Sequence, residues 1–243
     1  MRDWLAADWP VPPSVRAGTT LRTGGVSKGA FESLNLGAHV GDDPLAVAEN
    51  RQRLVSACYL PGQPQWLDQV HGTAVVELPH EDATPRADAA FTDRAGVVCA
   101  VLTADCLPVI FARMNGSAVG VAHAGWRGLC AGILEAGALA LGKPADLVAW
   151  LGPAIARAAY EVGDEVRQAC LKHDAAAASC FSRNPAGRWQ ADLYALARQR
   201  LAAIGLTEVY GGGRCTFTEQ EHFFSYRRDG QCGRMATFVW REP

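Results

Sequence analysis

Three residues in this chain carry side chains suited to holding a transition metal, and all three sit in similar settings: His71, Cys106 and His123. His71 closes the run Trp66-Leu67-Asp68-Gln69-Val70-His71-Gly72. His123 lies in Val121-Ala122-His123-Ala124-Gly125-Trp126-Arg127-Gly128, and Cys106 interrupts two apolar runs in Thr103-Ala104-Asp105-Cys106-Leu107-Pro108. Each stands at a turn ending an apolar, strand-like segment, where a sheet can fix the position of a functional group. Imidazole and thiolate are both good zinc ligands, and three protein ligands leave one tetrahedral position open, which is the catalytic rather than the structural pattern. Without a metal, the Cys106–His123 pair reads as a thiol nucleophile and its base. The separations match no local zinc motif, so spacing alone leaves a plainer alternative open: hydrogen-bonded strand-end histidines and a buried thiol.

Those turns need a framework to hold them. Apolar runs predict strands over residues 16–23, 65–70, 74–78, 96–102, 107–112, 117–123, 146–151, 207–210 and 234–240, with Asn115-Gly116 as a hairpin turn. Asp43-Pro44 starts a helix that runs to Cys58 and places Leu45, Ala48, Val55 and Cys58 near one face. A second helix is expected from about Arg127. Its small residues Gly128, Gly132, Ala136 and Ala140 recur every four positions and would let its backbone lie close on a sheet. Helices are also expected over 163–178 and 191–204, the latter stopped by Gly205. Many hairpin-type neighbours with four helices imply an α+β fold with mixed sheets. No linker or repeat divides the chain, so residues 1–243 are expected to form a single domain.

Composition narrows the choice of function. A formal net charge of −2 over 243 residues argues against a broad electrostatic footprint for nucleic acid or anionic membrane, while leaving room for a small anion site. Eight cysteines with no C-x-x-C pair are neither a disulfide scaffold nor a zinc ribbon. Cys58, Cys99, Cys130 and Cys170 lie among apolar neighbours and read as small, reduced core residues. The N-terminus lacks the apolar segment of a signal peptide, and the longest apolar run, about Ala95–Ala104, is too short to span a bilayer as a helix. A cytoplasmic protein is the expectation.

The strings around His71, Cys106 and His123 resemble the signatures of the YfiH family, also called the multicopper polyphenol oxidase or laccase-domain family. Gly24-Gly25-Val26-Ser27, Ser33-Leu34-Asn35-Leu36-Gly37, Gly152-Pro153-Ala154-Ile155 and Phe223-Phe224-Ser225-Tyr226-Arg227-Arg228 match it as well, so the resemblance runs from about residue 16 to the C-terminus. It implies a four-layer α/β/β/α sandwich and one zinc held by His71, Cys106 and His123, which are then the catalytic residues. It also implies zinc-dependent purine nucleoside phosphorylase activity on adenosine, inosine and methylthioadenosine with phosphate, accompanied by adenosine deamination. An older assignment in the family is a copper-dependent laccase. Cu2+ can take the same three ligands, but six histidines are too few for the blue and trinuclear copper sites of the familiar laccases. The family's fold has also been likened to cysteine hydrolases, which keeps Cys106 as nucleophile and His123 as base in view.

A phosphorylase needs places for an anion and a purine. Arg127 stands at the start of the helix after His123, where free N–H groups and the helix dipole favour an anion, although pairing with a carboxylate is the alternative. Arg51, Arg22 and the Arg227-Arg228 pair are further candidates. Asn35 is a candidate to read the base or ribose, Tyr226 and Phe224 to stack on a purine, and Trp66 and Trp126 to wall the pocket. The loop Gly24–Gly29 lacks the order of a P-loop, and the resemblance hints that it folds over the substrate. Asp88 and Asp105 are the nearest carboxylates for proton transfer, with Asp105 expected to orient a ligand instead. His39, His80, His173 and His222 receive no role.

Overall fold

Short apolar runs separated by turn residues form thirteen strands and six α-helices among residues 4–242, which the computed structural model describes. The strands are β1 (Trp4–Ala6), β2 (Val15–Thr20), β3 (Val75–Glu77), β4 (Ala89–Thr92), β5 (Cys99–Thr103), β6 (Leu107–Arg113), β7 (Val119–Ala124), β8 (Leu147–Leu151), β9 (Glu161–Val162), β10 (Phe181–Arg183), β11 (Trp189–Ala191), β12 (Val209–Gly211) and β13 (Met235–Arg241). The helices are α1 (Pro44–Cys58), α2 (Trp126–Ala131), α3 (Ile133–Leu141), α4 (Asp164–His173), α5 (Leu193–Ala203) and α6 (Tyr226–Asp229). A four-stranded sheet runs β1-β2-β13-β5, a six-stranded sheet runs β12-β8-β6-β7-β4-β3, and β10-β11-β9 form a small third sheet. The six-stranded sheet is mixed: β3 pairs with β4 and β12 with β8 in parallel, and its other pairs are antiparallel.

Side-chain alternation sets the layers. Along β6, Ile110 and Ala112 point into a core shared with Val101, Val239 and Ala17 of the four-stranded sheet, while Val109 and Phe111 point the other way, into a core with Leu129, Leu134, Ala138 and Leu196 from the helices. Both faces are buried, which is why the strand reads as a continuous apolar run rather than an alternating one. Outside the four-stranded sheet, Leu54 and Cys58 of α1 cover Ala100, Leu102, Ala236 and Phe238. The order is therefore helix, sheet, sheet, helices, as the family resemblance implies. Burial of a side chain such as Phe111 contributes about 1.5–3 kcal/mol.

Local signals in the sequence held at several points. Asp43 caps α1 by accepting from the Leu45 N–H (3.0 Å), with Pro44 as its first residue. Gly116 adopts φ +73 in the turn between β6 and β7. Other expectations are corrected. The buried stripe of α1 is Val47, Asn50, Leu54 and Cys58, whereas Leu45 and Ala48 face solvent, because docking on the sheet selects the face centred on Leu54. The helix expected from Arg127 is two helices, broken at Gly132 with φ +109, so Gly128, Gly132, Ala136 and Ala140 do not share one face. The glycine that lets α3 approach the sheet is Gly137, where an added Cβ would lie 3.3 Å from the Phe111 ring. Residues 65–70 form isolated bridges (Gln65 to Cys99, Asp68 to Arg86) rather than a strand. The helix expected over 163–178 ends at His173 and continues as a 3-10 segment, Ala175–Cys180. Strands β1, β4, β9, β10 and β11 were not anticipated. Cys130 and Cys170 are not separate thiols but a disulfide joining α2 to α4, with 4.7 Å between their Cα atoms; Cys58 and Cys99 are buried as expected. Among the described residues no helix is long and apolar enough to cross a membrane. Residues 1–3 of the N-terminal segment lie outside the described residues.

Candidate functional site

Cys106 sits where the chain passes from one sheet to the other, leaving the four-stranded sheet at Thr103 and entering the six-stranded sheet at Leu107. Such a crossing needs a tight turn, and Asp105 takes φ +87 to make it. Three bonds hold that unfavourable backbone. The Asp105 carboxylate accepts from Thr216 Oγ1 (2.6 Å) and from the Arg227 N–H (2.7 Å), and its carbonyl accepts from the Ile155 N–H (2.9 Å). Asp105 is thus a positioning residue, as the sequence suggested.

His123 lies on β7 opposite Pro108, held in the ladder. His71 lies on a turn with φ +60, and that turn is docked in two ways. The Gln69 amide pairs with both backbone groups of Leu102 on β5 (2.9 and 2.7 Å), replacing a strand with a side chain. Gly128 of α2 packs on the turn so closely that an added Cβ would lie 2.7 Å from the Gly72 carbonyl oxygen.

One buried carboxylate organises both histidines. Asp88, wholly inaccessible just before β4, accepts from the N–H groups of Val70 (3.2 Å), His71 (2.9 Å) and Gly72 (2.6 Å), and from Nδ1 of His123 (2.8 Å). An ionised carboxylate only accepts, so Nδ1 of His123 carries the proton and Nε2 is left to face His71 and Cys106.

The ligand atoms of His71, Cys106 and His123 all lie within 4.8 Å of one another. Cys106 Sγ is 3.9 Å from His71 Nε2, and the two imidazole rings meet edge-on with centroids 4.7 Å apart. A tetrahedral site with bonds of about 2.0–2.3 Å has edges of about 3.3–3.8 Å, so the three residues fit a single ion with small adjustments. The fit depends on Gly125, where an added Cβ would lie 2.6 Å from His71 Cδ2 and 3.2 Å from Cys106 Sγ. Among the described residues this is the one group of three such ligands. Burial pushes the Cys106 thiol up, but the charge of His123 and hydrogen bonds from both histidines outweigh it and bring the thiol below its usual range. Burial also disfavours charge on His123, and the Cys106 thiolate with Asp88 overcomes that and holds its pKa up. The chain thus prepares a thiolate, the form that binds metals and attacks electrophiles.

The three residues open onto a cavity of about 820 Å3 whose lining includes His39, Arg51, Trp66, Asp68, Tyr226 and Arg234. Of the expected substrate residues, Arg51 is on this wall. Asn35 is not: it is fully buried, its Oδ1 accepts from Gly37 and Arg234 N–H groups, and its Nδ2 donates to Gly37 and Asp42. No hydrogen-bonding capacity is left for a ligand, so its reading as a base- or ribose-binding residue is corrected. Arg127 is exposed, lies over the Trp126 ring at 4.4 Å and does not line the cavity. Arg22 is spent on backbone carbonyls, Arg228 on backbone carbonyls and the Asp229 carboxylate, and Arg227 donates to the Glu161 carbonyl. Trp66 and Tyr226 reach the cavity, while Phe224 is core and Trp126 packs against the helical layer. The Gly24–Gly29 loop is tied to α1 through Asn50 and does not line the cavity. Sequence reasoning missed Arg234 and His39 on the wall and the anchoring role of Asp88. For Asp88 a signal was present, a lone charge inside the apolar run Ala87-Asp88-Ala89-Ala90.

The mixed α/β sandwich that carries this His2Cys group is the fold of a known class. Residues 16–242 match the family described as multi-copper polyphenol oxidoreductase laccase, and the chain belongs to it, in agreement with the YfiH motifs. It is 52% identical over 242 residues to "Purine nucleoside phosphorylase YfiH" of Escherichia coli strain K12, covering 99% of both chains. It is 54% identical over 243 residues to "Purine nucleoside phosphorylase PA4543" of Pseudomonas aeruginosa, again covering 99% of each. The crystal structure of Neisseria meningitidis protein NMB0706 superposes with a TM-score of 0.94 at 48% identity, covering 99% of this chain and 100% of that one. YlmD from Geobacillus stearothermophilus gives a TM-score of 0.90 at 33% identity, covering 100% and 97%.

Proposed function

We propose that this chain is a zinc-dependent purine nucleoside phosphorylase that takes adenosine, inosine or methylthioadenosine with phosphate, and that it deaminates adenosine as an accompanying activity. The observation that carries this reading is the opening of a three-ligand group, His71–Cys106–His123, onto a cavity with two aromatic walls and cationic side chains. The names of the relatives, shared over nearly the whole chain, support it. When bound, zinc supplies a Lewis acid that lowers the pKa of a coordinated water to about 7.

The chain's own residues supply the rest. Asp88 keeps the His123 proton on Nδ1, and Gly125 leaves the ligands room to converge. Trp66 and Tyr226 offer ring faces to a purine, and Arg51 brings positive charge to the same cavity. Proton transfer to or from the base needs a carboxylate with spare capacity. Asp88 and Asp105 are both committed to protein groups, and among the described residues Asp68 is the one acidic side chain on the cavity wall.

The test is Cys106→Ala, with zinc content and the release of free base and ribose 1-phosphate measured together. Both are expected to be lost; full turnover without zinc refutes the reading. A second reading has one observation behind it, the linked contacts Asp88–His123–Cys106 and the depressed thiol, which suit a cysteine hydrolase. Alkylation of Cys106 by iodoacetamide in metal-free buffer, with hydrolase activity falling in proportion, would favour it. The copper oxidase reading rests on the family description, and a full set of coppers with a strong blue band would be its signature.

A further inference from the structure

The cavity wall away from the His71–Cys106–His123 group carries two arginines, Arg51 and Arg234, that no carboxylate among the described residues pairs with. Among the described residues six other arginines form ion pairs, and neither of these does. Both are braced by backbone carbonyls instead. Arg51 directs Nε and Nη2 to the Leu36 carbonyl (3.1 and 2.9 Å) and lies over the Trp66 ring at 4.3 Å, which leaves Nη1 without a hydrogen-bond partner among the described residues. Arg234 directs Nη1 to the carbonyls of Cys232 (2.9 Å) and Gly233 (3.0 Å), which leaves Nε and Nη2 without hydrogen-bond partners among the described residues. A carbonyl fixes a guanidinium without cancelling its charge, so both keep a full positive charge facing the cavity.

One short segment places both. Leu36 supplies the carbonyl for Arg51, and its N–H donates to the Arg234 carbonyl (3.2 Å). Asn35 Oδ1 accepts the Arg234 N–H (2.9 Å). Gly37 lets the Arg234 chain pass, since a Cβ there would lie 2.8 Å from Arg234 Cγ. The run Ser33-Leu34-Asn35-Leu36-Gly37 is thus a shelf for two cations. His39, two residues further on, lines the same cavity. Burial lowers its pKa, and the charges of Arg234 and then Arg51 lower it further; Asp68 opposes them with a smaller effect. At His39 the two arginines outweigh Asp68.

We propose that Arg51 and Arg234, with His39 beside them, form an anion subsite that holds inorganic phosphate in the same cavity as the His71–Cys106–His123 group. This deepens the phosphorylase reading and rests on it for the identity of the anion. Two guanidiniums with free N–H groups suit a phosphate dianion by charge-assisted bonds. The 5′-phosphate of a nucleotide shares that chemistry and is the competing source.

The experiment uses the zinc-loaded full chain and titrates inorganic phosphate alone, and separately adenosine 5′-monophosphate, by calorimetry. Arg234→Gln and Arg51→Gln are each expected to weaken inorganic phosphate at least tenfold, with zinc content staying within twofold. Thermal melting checks each fold, and if Arg234→Gln does not fold, Arg51→Gln decides. Unchanged phosphate affinity in the folded variants overturns the proposal. Weakened nucleotide binding with unaltered inorganic phosphate binding also overturns it, in favour of the nucleotide. Phosphorolysis whose KM for phosphate is the same in wild type and variants overturns the subsite and leaves the phosphorylase reading standing. Phosphate binding that is lost in the variants, in a wild type without phosphorolysis, supports the subsite and removes the phosphorylase reading.

Discussion

Replacing Asp88 by asparagine should uncouple the metal site from the fold. The substitution preserves shape but turns one acceptor oxygen into an NH2 donor. In the native protein Oδ1 serves His71 N–H and His123 Nδ1, and Oδ2 serves Gly72 and Val70 N–H. Whichever way the amide faces, two of these donors meet a donor. Hydrogen bonds to a charged group are worth about 1.5–3 kcal/mol each, so the metal-free protein should lose about 3–6 kcal/mol. For a chain of this size that lowers Tm by about 6–24 °C. The ligands suffer as well, because His123 loses the partner that fixes its tautomer and the His71 turn loses its anchor. Changes to such supporting groups typically cost 10–100-fold in metal affinity, about 1.4–2.7 kcal/mol. Competition with a chromogenic chelator would give the zinc Kd, and thermal denaturation of the metal-free protein the stability. A folded Asp88→Asn protein that binds zinc within twofold of wild type would refute the organising role.

Gly125→Ala should abolish zinc binding while the circular dichroism stays native, because the new methyl group displaces His71 and Cys106 at a packing cost of about 1–3 kcal/mol. Asn50→Ala should destabilise the chain by about 3–5 kcal/mol in urea, since buried Asn50 accepts from Val26 N–H and donates to Ser27 Oγ and the Asn35 carbonyl; a loss under 1 kcal/mol would show those bonds to be dispensable. Acid sensitivity should follow Asp88. Burial raises its pKa, but the His123 bond and the Gly72 and His71 N–H groups outweigh this and hold it below the usual range. A depressed carboxylate contributes stability that is complete above its unfolded pKa of about 4 and is lost as pH falls through the lower folded value. Urea midpoints of the metal-free protein at pH 7 and pH 3 should therefore converge in Asp88→Asn relative to wild type.

What the sequence revealed depended on how local the causes were. His71, Cys106 and His123 stood out because each is a polar residue ending an apolar run, and the Asp43-Pro44 cap is a contact between near neighbours. The layered order was legible only through family motifs, since periodicity cannot say which face of a fully apolar strand such as β6 meets a helix. Strand β4 escaped notice because Ala89 and Ala90 have little strand preference, and its pairing with β7 makes it a strand. Gly132 fell on the small-residue period of the expected helix, but its left-handed backbone ends α2 there. The placement of Arg234 beside Asn35 spans 199 positions, and no local pattern announces it.

The turn that carries Cys106 has a mechanical meaning. A sulfur on the seam of the sandwich faces an imidazole from the six-stranded layer and another from a loop tied to both layers, through Gln69 to Leu102 and through its N–H groups to Asp88, so an ion held there would act as a rivet between the plates. Slippage of one plate over the other would then strain that junction, and the candidate site would register how tightly the two halves are closed.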